Sequence, residues 1–136
     1  MRMALTLALV AAATAGAAQD AETGGELFAR YCAACHGLDA RGDGPMTPIL
    51  EVLPSDLTTL AKRSGGEMFE SIIHRVIDGR QDITAHGPRD MPIWGNWFKF
   101  MARAGNPENT DDETAEIIAA LRIQGLIEYM KTIQEK

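Results

Sequence analysis

Cys32-Ala33-Ala34-Cys35-His36 places two thiols and one imidazole within five consecutive positions. Residues three apart on a helical turn are neighbours on one face. Both sulfurs can therefore reach the vinyl groups along one edge of a porphyrin, and His36 falls beneath the iron, which is the signature of covalent haem attachment. A neutral imidazole nitrogen takes one axial position, and the other, still protonated, is left for an acceptor that orients the ring. The same spacing also serves redox dithiols, half zinc sites and structural disulfides. Against these, the sequence offers no second cysteine pair and no His-x-x-x-His. The flanks read as helix before the motif and glycine-rich loop after it, where a redox dithiol would follow a strand.

Upstream of the motif, Thr23 and Glu26 are spaced as a capping box, with Asp20 and Glu22 just ahead of them. Gly24, Phe28 and Cys32 then fall on one stripe of a helix that carries the first thiol inward. Further back, Met1-Arg2-Met3 supplies a positive charge, Ala4 to Ala13 an apolar run, and Ala15-Gly16-Ala17-Ala18 small residues for cleavage. Residues 1–18 read as a cleavable signal peptide, too short to span a bilayer. Residues 19–136 read as one exported, soluble domain in the periplasm, with no stable membrane insertion.

Only Arg2 of the 13 basic residues lies in that leader, against 19 acidic residues, so the exported chain is more acidic than the −6 of the whole sequence. That balance argues against nucleic acid and anionic lipid as partners. Both cysteines sit in the motif, so no disulfide framework remains to staple the fold. Aromatic residues are only 6% of the chain, and a central haem would supply much of the missing core surface.

Downstream, Gly37, Gly42, Gly44, Pro45 and Pro48 exclude regular structure over Gly37 to Pro48 and suggest a tight wrap around one face of the cofactor. A short helix is expected over Pro48 to Leu53, then a turn at Pro54-Ser55-Asp56-Leu57, with Ser55 or Asp56 capping a second helix that Ser64-Gly65-Gly66 stops. Glu67 to Ile77 carries Met68, Ile72, Ile73, Val76 and Ile77 at helical spacing, ending at Asp78-Gly79. Gln81 to Trp97 reads as a second irregular stretch, broken by Gly87-Pro88, Met91-Pro92 and Gly95. After Gly105-Asn106-Pro107, the residues Thr110, Asp111 and Asp112 cap a long final helix. Its apolar face reads as Ile117, Ile118, Leu121, Leu126, Tyr129, Met130 and Ile133. Gly125 costs this helix roughly 1 kcal/mol relative to alanine, which a close crossing by the first helix, through Gly24 and Phe28, explains. No strand pattern appears, so the class is all-α.

The second axial ligand has several candidates: Met46, Met68, Met91, Met101, Met130, His74 and His86. Methionines on apolar helix faces are usually core. Met46 lies close behind the motif, on the His36 side. Met91 stands before a proline in the long loop, far enough along to reach the opposite face, and Pro92 restrains its backbone. His86 is the competing ligand.

The order Gly24-x-x-x-Phe28-x-x-x-Cys32-x-x-Cys35-His36, Gly42-Asp43-Gly44-Pro45, Asp56-Leu57-Thr58, Asp78-Gly79-Arg80, Met91-Pro92-x-Trp94-Gly95 and Leu126-x-x-Tyr129-Met130 resembles the small soluble class I cytochromes c of bacteria. The resemblance covers nearly all of the chain after the leader. It implies a monohaem cytochrome c fold over 19–136, with the first and last helices crossing near Tyr129 and short helices and loops wrapped around one covalent haem c. It further implies thioether links at Cys32 and Cys35, axial ligation by His36 and Met91, and the Pro45 carbonyl as the acceptor that orients His36. Arg80 and Trp94 are candidate donors to the haem propionates, with a ring simply packed over the cofactor as the plain alternative for Trp94. The chain departs from a minimal member in the long loop Gln81 to Asp90 and in an extra, partly apolar stretch, Trp97 to Thr110, expected to pack over the haem, with a contact surface for a bound enzyme as the alternative.

A His/Met pair fills both axial positions and favours the reduced iron. The expectation is therefore a periplasmic one-electron carrier and not an enzyme. It would dock transiently on a reductase or dehydrogenase and then on a terminal oxidase or reductase, after loading by the cytochrome c maturation machinery. The alternatives are a dedicated electron-accepting subunit of a periplasmic dehydrogenase and a five-coordinate haem peroxidase or gas sensor.

Overall fold

The first described helix, α1, spans 23–31. Backbone bonds of 2.9 Å from Cys32 N–H to the Phe28 carbonyl and from His36 N–H to the Cys32 carbonyl carry it on into α2, Ala33–His36. This computed structural model describes residues 23–81 and 91–136, so the leader, His86 and most of the loop Gln81 to Asp90 lie outside the described residues. Among those described, all regular structure is helical.

Beyond Gly37 the chain folds back over the motif. Gly42 N–H bonds the His36 carbonyl at 2.7 Å, Gly44 N–H that of Cys35 at 3.1 Å, and Met46 N–H that of Ala34 at 2.9 Å. A Cβ on Gly44 would stand 2.5 Å from the Ala34 carbonyl oxygen, so the wrap needs glycine there. The helix expected over Pro48 to Leu53 is only a 3₁₀ turn, Thr47–Ile49, after which Leu50 is extended. Pro54 disfavours helical backbone at Leu53 and shortens it. Asp56 is the cap that the sequence suggests: its Oδ1 accepts from Thr58 N–H at 2.8 Å and from Thr58 Oγ1 at 2.6 Å. It opens a 3₁₀ turn, Leu57–Thr59, that runs into α3, Leu60–Arg63.

Helix α4, Glu70–Asp78, starts later than Glu67, and its N-cap, Phe69, makes no side-chain cap bond. It ends on the left-handed Gly79. Helix α5, Trp94–Gly105, corrects the irregular reading of the stretch up to Trp97. Pro92 and Gly95 look like breakers, yet Pro92 lies outside the helix and Gly95 in its first turn, where no intrahelical bond is lost. The extra stretch is thus mostly helix, with Phe98 and Ala102 buried, and it packs on α6, Asp112–Thr132, and on α4. Asp111 caps α6 by accepting from Thr114 N–H at 2.8 Å.

The core joins Phe28 of α1, Ile77 of α4, Phe98 of α5 and Ile123, Leu126 and Ile127 of α6. The first and last helices cross as expected. A Cβ on Gly24 would lie 1.9 Å from the Gly125 carbonyl oxygen, and Phe28 meets Tyr129 with ring centroids 5.2 Å apart. The expected face of α6 holds in its C-terminal half, where Leu126 and Met130 are buried and Tyr129 and Ile133 pack on the core, but not nearer its start: Ile117 and Leu121 are 53% and 65% exposed, while Ala115 and Ala119 are fully buried. Apolar residues surround this helix, so its orientation follows the small residues that let α1 and α5 approach, not the largest side chains.

Candidate functional site

Cys32 and Cys35 are half-buried and not joined to each other. Burial, with a smaller contribution from Cys35, pushes the Cys32 thiol up to about 12, so it stays protonated at neutral pH. A redox dithiol works the other way, by holding a reactive thiolate. Zinc finds no companions either: among the described residues no cluster of three or more His, Cys, Asp or Glu is placed to hold a metal ion. The motif offers two sulfurs and a ring, the donor set that thioether attachment and axial ligation of a haem require.

The His36 ring is oriented by one bond. Its Nδ1 lies 3.1 Å from the Ser55 carbonyl oxygen, and because a carbonyl only accepts, Nδ1 carries the proton and Nε2 keeps its lone pair. Burial lowers the His36 pKa, against the opposing effect of that bond, and favours the neutral ring. The resemblance assigns the acceptor role to Pro45; here the carbonyl at the ring belongs to Ser55. Gly42 explains how this segment returns to the motif, since a Cβ on it would stand 2.3 Å from the Pro54 carbonyl oxygen. The chain closes on itself at that point and brings Ser55 over the histidine.

Met91 is half-buried and packs against the central core. Among the other sulfur candidates, Met130 is buried in α6 at 3% exposure and Met46 is 41% exposed, while Met68 packs on the core ahead of α4. Met101 and His74 lie on α5 and α4, both half-buried. Leu57, Leu60, Met68, Ile73 and Met91 all rest on the core and none is fully covered. A large apolar group seated over them would bury this surface, so the chemistry of these residues suits the face of a haem.

Arg80 is committed elsewhere than to a propionate. Its Nε and Nη2 donate to the two oxygens of Asp78 at 2.8 and 2.5 Å, and its Nη1 and Nη2 donate to those of Glu116 at 2.8 and 2.5 Å. Glu116, held down to about 2 by Arg80 and then Lys99, extends the network to Lys99 at 3.2 Å. Two carboxylates already fill the planar fork of the guanidinium. Trp94 packs as a ring: it stacks on Phe98 at 5.8 Å and tilts against Tyr31 at 5.8 Å, beside Cys32 in the chain.

A cavity of about 640 Å³ runs along α5 and is lined by Tyr31, Pro92, Ile93, Trp94, Trp97 and Phe100, with Asn96. Neither motif cysteine nor His36 lines it. Sequence reasoning missed Ser55, which acts through its backbone, and Glu116, which lies thirty-six positions from its partner Arg80. Only the spacing of Asp78 and Arg80 hinted at a local pair.

One family model, described as Cytochrome C oxidase, cbb3-type, subunit III, matches residues 19–121. No curated protein and no solved structure matches the chain.

Proposed function

The chain belongs to the family described as Cytochrome C oxidase, cbb3-type, subunit III, a small monohaem class I cytochrome c carrying one covalent haem c, and on that premise we propose a one-electron carrier with His36 and Met91 as axial ligands. Haem-based electron transfer follows from the family; the ligand set, compartment and partners are the proposal. Cys32 and Cys35 would hold the haem as thioethers, each sulfur bonding one carbon of a vinyl group and its hydrogen going to the other. The haem supplies an iron that cycles between ferric and ferrous. The observation that carries the reading is the His36 ring, neutral and with Nδ1 turned to the Ser55 carbonyl, which leaves Nε2 as the donor. Met91 contributes a neutral thioether, which favours the ferrous state. With both axial positions filled there is no place for substrate, so the chain transfers electrons and is not an enzyme.

The leader reading places this carrier in the periplasm after the cytochrome c maturation machinery has attached the haem. Among the described residues no helix is long and apolar enough to cross a membrane. An acidic chain suits basic docking faces on its reductase or dehydrogenase and on its oxidase, in small transient contacts. The ferric holoprotein should show the near-infrared sulfur-to-iron charge-transfer band. Met91→Ala should abolish that band and lower the potential, and His86→Ala should leave both unchanged. A band that survives Met91→Ala hands the position to another methionine, and a wild-type protein without one points to an open or bis-histidine iron.

One observation favours a second reading, that of a subunit fixed to one redox enzyme. Trp97 and Phe100 are 42% and 58% exposed on α5 and stand 5.7 Å apart. Co-elution with one enzyme through gel filtration would establish the subunit; elution at the size of the free chain would establish the shuttle.

A further inference from the structure

Met91 lies four residues before Gly95, and Gly95 is seated on the Asp78–Arg80 pair. A Cβ on Gly95 would fall 2.7 Å from Arg80 Nε and 2.8 Å from Asp78 Oδ2. The pair itself closes the end of α4: Arg80 N–H bonds Asp78 Oδ1 at 3.1 Å, and the guanidinium takes both oxygens of that carboxylate. The remaining edge of the fork takes both oxygens of Glu116 on α6. The first turn of α5 therefore meets α4 and α6 at one guanidinium, on the carboxyl side of Met91. Lys99 braces the arrangement from α5, reaching Glu116 at 3.2 Å and Asp112 at 2.9 Å. Arg103 also pairs with Asp112, further along α5.

We infer that Arg80 is a positioning residue for the Met91 ligand. It acts through Gly95: the bidentate hold on Asp78 and Glu116 gives α5 a fixed seat, and the four residues back to Met91 are too few to absorb a shift of that seat. The inference rests on Met91 being the axial ligand. Lysine would not replace arginine, because a single ammonium cannot span two carboxylates as a planar fork does. Arg103 makes the informative contrast, since it belongs to the same ion-pair network but is not among the nearest neighbours of Gly95.

The test uses the ferric holoprotein with imidazole as an exogenous ligand that enters when the sixth ligand leaves. Wild type should show the sulfur-to-iron band and bind imidazole slowly, with Met91→Ala setting the fast limit. Arg80→Gln should weaken the band and bind imidazole roughly tenfold faster, the scale of a part-exposed charge-assisted pair. Glu116→Gln, which keeps the Asp78–Arg80 half, should fall between the two and serves where Arg80→Gln does not fold. Arg103→Gln should bind at the wild-type rate even where its denaturation midpoint falls, which separates positioning from general stability. Wild-type rates in both Arg80→Gln and Glu116→Gln, with Met91→Ala fast, would overturn the role of Arg80 and leave Met91 as ligand. A wild-type protein without the band, binding imidazole as fast as Met91→Ala, would overturn both readings.

Discussion

Gly24→Ala separates what the helix wants from what the crossing allows. In an unencumbered helix the change gains up to about 1 kcal/mol. Here the new Cβ would lie 1.9 Å from the Gly125 carbonyl oxygen and 2.4 Å from its carbon, both backbone atoms with no rotamer to yield. Ordinary contact would require α1 to withdraw from α6 by about 1.5 Å in a close-packed interior. That movement opens the layer where Phe28, 2% exposed, meets Tyr129. Overpacking of this kind costs up to about 3 kcal/mol, so the balance is a loss of about 2 kcal/mol after the helix gain. At roughly 4 °C per kcal/mol for a domain of this size, the thermal midpoint should fall by about 8 °C. Far-ultraviolet circular dichroism of the holoprotein reads it directly. Gly105→Ala supplies the control, because no atom stands within 4 Å of a Cβ there, and its midpoint should stay level or rise. A Gly24→Ala midpoint at or above that of wild type would refute the crossing geometry.

Gln134→Ala should loosen the segment that orients His36: Gln134 accepts from Ala61 N–H at 2.9 Å and donates to the Leu57 and Met130 carbonyls at 2.8 Å. Leaving those groups unpaired costs about 1–2 kcal/mol, and hydrogen exchange at Ala61 should accelerate roughly tenfold or more; an unchanged exchange rate would count against this bracing. The Arg80 clamp should also leave a pH signature, because Arg80 holds both Asp78 and Glu116 below their ordinary values, Glu116 at about 2. A depressed carboxylate stabilises the fold fully above its ordinary value of 4.5 and loses that contribution as pH falls through about 2. The gap in thermal midpoint between wild type and Arg80→Gln should therefore hold near neutrality and shrink below pH 4.5; a gap independent of pH would show that the pair contributes no charge.

The parts of the fold legible in the sequence were those fixed by local chemistry. Asp56 and Asp111 cap because a short carboxylate can reach the free N–H two or three residues on, whatever lies elsewhere. The Gly24–Gly125 crossing was legible because glycine inside a good helix former has a cost that calls for a reason. The face of α6 was legible from Leu126 onward but not nearer its start, since Ile117 and Leu121 follow helical spacing as well as Ile123 and Ile127 do, and only the partner helices decide between them. Breaker residues misled at Pro92 and Gly95, where position relative to the helix start matters more than residue type. At the site, the motif announced its own chemistry, while Ser55 and Glu116 act through a backbone carbonyl and a distant pair that no local pattern encodes.

What those hidden contacts share is α6. Its middle, at Gly125, takes the crossing of α1, which leads directly into Cys32 and Cys35. The tail that follows it reaches back through Gln134 to Leu57, and through Glu135 N–H to the Thr58 carbonyl at 2.8 Å, two and three residues from the Ser55 carbonyl that orients His36. Near its start, Glu116 holds Arg80 and through it the seat of Gly95 beside Met91. Glu116 and Gly125 are nine residues apart, about 14 Å along the helix, and Gln134 follows just past its end, so the attachment points and both proposed ligands are referenced to separate stations of α6 and its tail. An electron carrier changes the charge of its iron at every cycle and loses speed if its ligands must rearrange with it. Referring all of them to a single helix ties their relative positions together in both oxidation states. A loosening of α6 would therefore disturb the His36 and Met91 sides together, whereas a loosening of α5 would reach Met91 alone.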